Sequence, residues 1–526
     1  MTTTTADDER FAEQAEARAA ESAFLEDVDE AMPDFDVRPV SAPPFPEETS
    51  VRDLRRARQR SIDGPVTRMS LVEDGGGILR WTLGAGPAPA RPRPGGGGSG
   101  GSSGGRRGGP GRRGPESAGR ARILRQFKFR DLPPNLIGAR LQSLDERLNP
   151  HQGLKEISPR SGNVLVRDET PAANGRILLL VHGTFSRVEH MLDEIRATDA
   201  GREWLDECLS GPRYQQVLAF NHPTLSTSPI LNAARLADAF RGSAATVDVI
   251  AHSRGCLVTR WWREWLASPG QLAAGFAPGA GVGMPPGAGS GLAPGLAPGL
   301  APGLAHGLAL ARTINVGGPL GGTSLAAPRQ LKHALDLMAN YARAMRTAAR
   351  IGGMVVPAAA PFASAAGVLF GLLGRVMSVA AKTPALDAGV SMIPGLAAQS
   401  REGANDDILA LRGRMDALDR TGRRAALESV HAVTSNFEPE AMTWRFWRAF
   451  RGVRGRLADA AADTIFPGAN DLVVDTSAMT EFGDDVYLEP AQVLDFGTSR
   501  TVHHTNYFQQ PETIALLRRV LLESPP

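Results

Sequence analysis

The chain has 526 residues and a formal net charge of +2 from evenly mixed acids and bases. That length exceeds one ordinary domain, and that balance gives no whole-chain electrostatic case for a nucleic-acid partner. Cys208 and Cys256 are its only cysteines, which excludes a disulfide framework or a cysteine-based metal cluster and leaves the hydrophobic core to hold the fold.

Residues 1–83 form an acidic and mixed region, rich in Asp, Glu and Ala at its start, which reads as a partly disordered arm. Met1 to Arg10 is polar and acidic, without the basic start and apolar run of a secretory signal, so a cytoplasmic location is expected. Residues 84–122 are Gly/Pro/Arg/Ser-rich, including the run Gly95 to Gly105, and read as a flexible linker. Its arginines, Arg106, Arg107, Arg112 and Arg113, read as solubilising charges.

A catalytic domain is expected over 123–526, where the composition turns globular. Ile177 to Val181 is a short apolar run, as in a strand buried on both faces, and Val217 to Phe220 and Val247 to Ile250 repeat it. Helical patterns follow at Asn232 to Phe240 and Cys256 to Leu266. This alternation predicts an α/β fold with a mostly parallel central sheet flanked by helices. Residues 267–306 are a low-complexity insertion with Leu-Ala-Pro-Gly repeats, where proline every fourth residue forbids a stable helix. Strands are expected again at Leu308 to Val316 and Val430 to Thr434, with a closing helix at Ile514 to Leu522. Between them, residues 325–425 read as an apolar helical insertion that includes Leu331 to Arg350. Its uncharged stretch Ile351 to Gly374 is long enough to span a bilayer. Pro357 and Pro361 leave only Phe362 to Gly374 as a clean segment, which is too short to cross, so a lid is expected.

Chemistry centres on Ala251-His-Ser-Arg-Gly255, a serine between a β-branched run and a helix. That context lifts a serine hydroxyl above the sheet, with small residues two before and two after it. Val181-His-Gly-Thr-Phe-Ser186 ends the earlier strand, where backbone N–H groups of Thr184 or Phe185, together with that of Arg254, could hold an oxyanion. A serine needs an imidazole to take its proton, and the imidazole needs a carboxylate. Asn470-Asp471-Leu-Val-Val474 offers the acid in a turn before a β-branched run, with Asp475 and Asp463 as competitors. Val502-His-His-Thr-Asn-Tyr-Phe508 offers His504 or His503 as the base, and neighbours in an extended loop point opposite ways. Cys256, His182, His190, His222 and His252 read as structural, and neither a metal site nor a phosphate-cradling loop presents itself.

These features together resemble the lipase/esterase branch of the α/β-hydrolase superfamily from about Ile177 to Leu522. The resemblance rests on His182-Gly183, the Ser253 elbow, Gly317-Gly-Pro-Leu-Gly-Gly-Thr323, Asp471 before Val473-Val474, and His504 before Thr-Asn-Tyr-Phe. It implies a cofactor-free serine hydrolase with Ser253 as nucleophile, His504 as base, Asp471 as the orienting acid and the 317–323 segment as a substrate-side loop. Carboxylic esters with apolar acyl chains are the expected substrates, with reversible membrane-surface contact through the lid. Amidase or acyltransferase chemistry on the same triad, and a non-catalytic interaction module, remain alternatives.

Overall fold

The computed structural model of the protein describes residues 38–40, 66–73, 79–83, 122–130, 137–160, 163–267, 307–326, 393–401, 405–437, 469–471, 473–499 and 501–524. The expected linker up to residue 121, the low-complexity insertion from residue 268, Leu331 to Arg350, the Ile351 to Gly374 stretch and Asp463 lie outside the described residues.

The N-terminal elements form an antiparallel sheet of β1 (Arg38–Val40), β2 (Val66–Glu73), β3 (Leu79–Leu83) and β4 (Arg122–Arg130), in the order β1-β4-β2-β3. Strand β4 runs the length of β2, from Val66 opposite Arg130 to Glu73 opposite Arg122. The stretch just past residue 122, read from sequence as the start of the globular catalytic part, is therefore committed to this N-terminal sheet. Leu71, Val72 and Leu124 are buried within it.

The central sheet has eight strands. They are β5 (Gly153–Arg160), β6 (Asn163–Asp168), β7 (Arg176–Val181), β8 (Gln216–Asn221), β9 (Thr246–His252), β10 (Ala309–Val316), β11 (Val430–Phe437) and β14 (Val493–Ser499). Their order is β14-β11-β10-β9-β7-β8-β5-β6. All pairings from β14 to β8 are parallel, and β5 runs antiparallel to both β8 and β6. A two-stranded ribbon, β12 (Glu481–Gly483) with β13 (Val486–Tyr487), precedes the last strand.

Helices α1 (Ile137–Leu148), α2 (Val188–Arg196), α3 (Asp199–Ser210), α4 (Pro229–Ala239), α5 (Gly255–Ala267), the short α6 (Pro394–Ala397), α7 (Asp406–Asp416), α8 (Arg420–Leu427) and α9 (Pro511–Leu517) complete the chain, α9 continuing in wider turns over Arg518–Glu523. Alternate residues of one strand serve opposite faces of the sheet. Ile177, Leu179 and Val181 pack in one cluster with Trp262 of α5, whereas Leu178 and Leu180 pack in another with Trp204 of α3 and Leu517 of α9. This two-sided burial accounts for the unbroken apolar runs, each large side chain contributing roughly 1.5–3 kcal/mol. The result is a mixed α/β architecture with a mostly parallel sheet flanked by helices, compatible with the α/β-hydrolase arrangement.

Of the helical insertion expected over 325–425, the described residues include 325–326, 393–401 and 405 onward. Ile408, Leu411 and Met415 lie on one face of α7 and join the cluster under α5, so from Asn405 onward the chain is a covering layer of the sheet between β10 and β11. Asn405 and Asp419 cap α7 and α8 by accepting from the N–H groups of Ile408 and Gly422. Among the described residues no helix is long and apolar enough to cross a membrane.

Candidate active site

Ser253 occupies the turn between β9 and α5 with φ of +55°, a left-handed conformation that is strained for a residue bearing Cβ. Its N–H donates to Val316 O of the neighbouring strand at 2.9 Å. Two glycines make the close packing possible. A Cβ on Gly255 would stand 2.4 Å from Val181 O, and one on Gly183 would stand 2.5 Å from Ser253 Cβ. The turn is thus pressed directly against the loop that follows β7.

Asp471 lies beyond β11 and is fully buried. Its Oδ1 accepts from the N–H groups of Val473 (3.0 Å) and Val474 (2.8 Å), and its Oδ2 from His504 Nδ1 (2.8 Å) and Tyr507 OH (2.9 Å). The β-branched Val473-Val474 pair after the acid lies in the turn itself, and its amides bind the carboxylate. Burial alone would raise the Asp471 carboxyl. The His504 charge and the hydrogen bonds from His504, Val474 and Val473 outweigh it and hold the group below the usual carboxylate range. With Asp471 ionised, His504 carries its proton on Nδ1 and keeps Nε2 free to accept one.

The competing residues are engaged elsewhere. Asp475 accepts from the N–H (2.8 Å) and Oγ (3.1 Å) of Ser324. His503 packs edge-to-face with Phe437, with centroids 5.6 Å apart, and burial pushes its imidazole down to about 4.

Gly317 joins the serine side to the acid and base. Its predecessor Val316 binds the Ser253 N–H, while a Cβ on Gly317 itself, at φ of +55°, would meet Tyr507 Cε2 at 2.8 Å, Asp471 Oδ2 at 3.2 Å and His504 Nδ1 at 3.2 Å. His252, next to the serine, donates from Nε2 to His504 O at 2.9 Å, and the two rings lie 4.9 Å apart. Burial pushes His252 down to about 3, so it is neutral. Among the described residues no hydrogen bond joins Ser253 Oγ to the His504 imidazole.

The loop after β7 carries the other expected groups. Phe185, at φ of +56°, donates its N–H to Thr224 Oγ1 at a long 3.4 Å. Among the described residues the N–H groups of Thr184 and Arg254 have no partner. The Thr184 hydroxyl donates to Gln399 Oε1 at 3.2 Å. The Arg254 guanidinium is fully buried and donates to the carbonyls of Thr227, Pro223 and Gly395. Burial pushes it down to about 10, which leaves it charged at neutral pH.

Asp145 of α1, which sequence reasoning missed, grips the neighbouring loop after β8, accepting from the N–H groups of Thr224 (2.7 Å), Leu225 (2.9 Å) and Ser226 (2.7 Å). Tyr507 was missed too, although it sits in the run that flags His504. His182 is fully buried, Nδ1 donating to Gly183 O at 2.9 Å and Nε2 accepting the His222 N–H at 3.0 Å. Cys256 directs its thiol to Ala251 O at 3.3 Å, and burial raises that thiol above its usual range. A cavity of about 620 Å³, lined in part by Gly175, Arg176, Arg213 and Thr246, opens where β7 and β9 begin, at the opposite end of the strands from Ser253.

Among solved structures, the chain is similar to lipase 1 from Pelosinus fermentans at 11% identity and a TM-score of 0.35, covering 66% of this chain and 99% of that one. It is also similar to DBJA at 10% identity and a TM-score of 0.28, covering 70% of this chain and 99% of that one. No curated protein matches it. A family model described as a domain of unknown function (DUF7379) matches residues 151–294 and 296–522, from just before β5 to the turns after α9, and the chain belongs to that family.

Proposed function

We propose that the protein is a serine hydrolase of the α/β-hydrolase type that cleaves carboxylic esters through an acyl-enzyme. The observation that carries this reading is the 2.8 Å bond between Asp471 and His504, set across Gly317 from a serine held in a left-handed turn at the head of α5. In the proposed reaction Ser253 Oγ attacks the ester carbonyl, His504 Nε2 takes its proton, and Asp471 stabilises the imidazolium. His504 then returns the proton to the departing alcohol, and water repeats the sequence to release the acid. The amides of Thr184 and Arg254 are the better candidates for the oxyanion, since both lack partners among the described residues, whereas that of Phe185 is engaged by Thr224. Nucleophile-to-base hydrogen bonds often close only when substrate binds, which fits a Ser253 hydroxyl not yet bonded to His504.

The uncharged run Ile351 to Gly374 supports acyl chains longer than acetyl as the substrate class, through a lid that touches lipid reversibly. A fluorophosphonate probe tests the reading. Wild-type protein should label, and Ser253→Ala should neither label nor hydrolyse p-nitrophenyl esters while keeping its circular dichroism spectrum. Absence of labelling in folded wild-type protein would leave the interaction module as the surviving alternative. A panel of p-nitrophenyl esters and matched anilides, from two to ten carbons, separates esterase from amidase.

A further inference from the structure

The carboxylate of Asp471 has one oxygen occupied by backbone and one shared between two side chains. Oδ2 accepts from His504 Nδ1 at 2.8 Å and from Tyr507 OH at 2.9 Å. The phenol is therefore aimed at the same atom that orients the imidazole.

Its placement is tightly determined. Tyr507 begins the single 3-10 turn Tyr507–Gln509 just before α9, and none of its surface is exposed. Asn506 braces that turn, its Oδ1 accepting the His503 N–H at 2.9 Å and its Nδ2 donating to Thr501 O at 2.8 Å. The ring lies against Gly317, where a Cβ would come within 2.8 Å of Cε2, so the glycine makes room for the phenol beside the acid. Burial, and then the Asp471 charge, hold the phenol well above its usual range, so the hydroxyl keeps its proton and can only donate to the carboxylate.

We infer that Tyr507 is a positioning residue for the Asp471–His504 pair, its hydroxyl fixing Oδ2 and drawing negative charge away from the imidazole. The inference rests on the proposed triad. Without the hydroxyl, the full charge of Oδ2 faces His504 Nδ1, which stabilises the imidazolium and raises the pH at which His504 titrates. The other groups around the pair are His252 from the elbow, His503 from the same loop, Met479 with Sδ 3.9 Å from the phenol oxygen, and Asp495 of β14, whose charge the phenol feels. His252 already donates to the His504 carbonyl, and Met479 and an ionised Asp495 have no proton to donate.

Tyr507→Phe keeps the ring and its packing against Gly317 and removes only the hydroxyl. With histidines labelled at Cε1, and the His504 signal identified by its absence in His504→Gln, the titration midpoint should rise by about 0.5 unit or more in Tyr507→Phe. In an ester assay kcat should fall about tenfold with KM unchanged, and the acid limb of the profile should move to higher pH. An unchanged midpoint and an unchanged acid limb would overturn the inference and reduce Tyr507 to packing. The magnetic-resonance titration needs no turnover. A wild-type protein that fails to label with fluorophosphonate therefore sinks the hydrolase reading alone, whereas a labelled enzyme with an unmoved midpoint sinks the Tyr507 role alone.

Discussion

Gly183→Ala tests how tightly the elbow is built. The added methyl would stand 2.5 Å from Ser253 Cβ, 3.0 Å from Ser253 Oγ and 3.3 Å from His252 O. Carbon atoms settle at about 3.5–4.0 Å, so the loop and the serine must separate by about 1 Å. Overpacking of that kind costs about 1–3 kcal/mol of stability, and a nucleophile moved by about 1 Å loses about 100-fold in rate. The main obstacle is the Cβ of Ser253 itself, which supplies an internal control. Ser253→Gly removes both the obstacle and the left-handed strain at φ of +55°, strain worth about 1–2 kcal/mol, against about 0.5–1 kcal/mol that glycine loses through its freedom in the unfolded chain. Urea denaturation of wild type, each single variant and the double variant closes the cycle. Gly183→Ala should destabilise by about 2 kcal/mol in the wild-type background and by less than about 0.5 kcal/mol beside Ser253→Gly, leaving only the milder contact with His252 O. Equal penalties in the two backgrounds would falsify the contact as the cause.

His504→Ala should reduce ester hydrolysis nearly as far as loss of the serine, by several orders of magnitude, and His503→Ala by less than about tenfold; the opposite ranking in a steady-state assay would transfer the base to His503. Asp471→Asn should abolish turnover, whereas Asp475→Asn should mainly lower the denaturation midpoint, because Asp475 holds Ser324 and not a histidine. Stability should also fall with acid. Burial depresses His182 and His252 to about 3 and His503 to about 4, so the unfolded chain, with histidines near 6.5, binds more protons below that pH. The stabilisation is complete above about pH 6.5 and is lost as pH falls towards 4, by up to about 3 kcal/mol for each of the three imidazoles; a urea midpoint that stays level from pH 7 to 4.5 would contradict it.

How far the sequence could be read follows from where each element sits in the sheet. Strands β7, β8 and β9 declare themselves because both faces are buried and nearly every residue is apolar. The hairpin of β5 and β6 lies at the margin and carries Lys155, Glu156, Arg160, Arg167 and Asp168, so it shows no such run. Strand β14, the other edge, is half exposed along its length and was equally silent. In the candidate site, the His504 run and the serine turn are local patterns, visible in five or six residues. The grip of Asp145 on residues 224–226 and the phenol beside Asp471 join distant parts of the chain, and no local pattern announces them.

The pairing of β4 also changes what the glycine-rich stretch must do. Strands β3 and β4 flank β2 on opposite sides and both run antiparallel to it, so they run parallel to each other. The chain leaves β3 at Leu83, beside Met69, and re-enters at Arg122, beside Glu73, so the two ends that residues 84–121 connect lie at opposite ends of β2. A tether between two bodies tolerates almost any length, but a parallel crossover needs roughly a dozen residues or more. Shortening the stretch to about twenty residues should leave the N-terminal sheet intact, since loop length changes closure entropy only by about 0.6 kcal/mol per doubling. Deleting Pro87 to Arg120 leaves Gly84, Ala85, Gly86 and Ala121 to make the crossing, and should release β4 from β2, detectable as amide hydrogen exchange through residues 122–130.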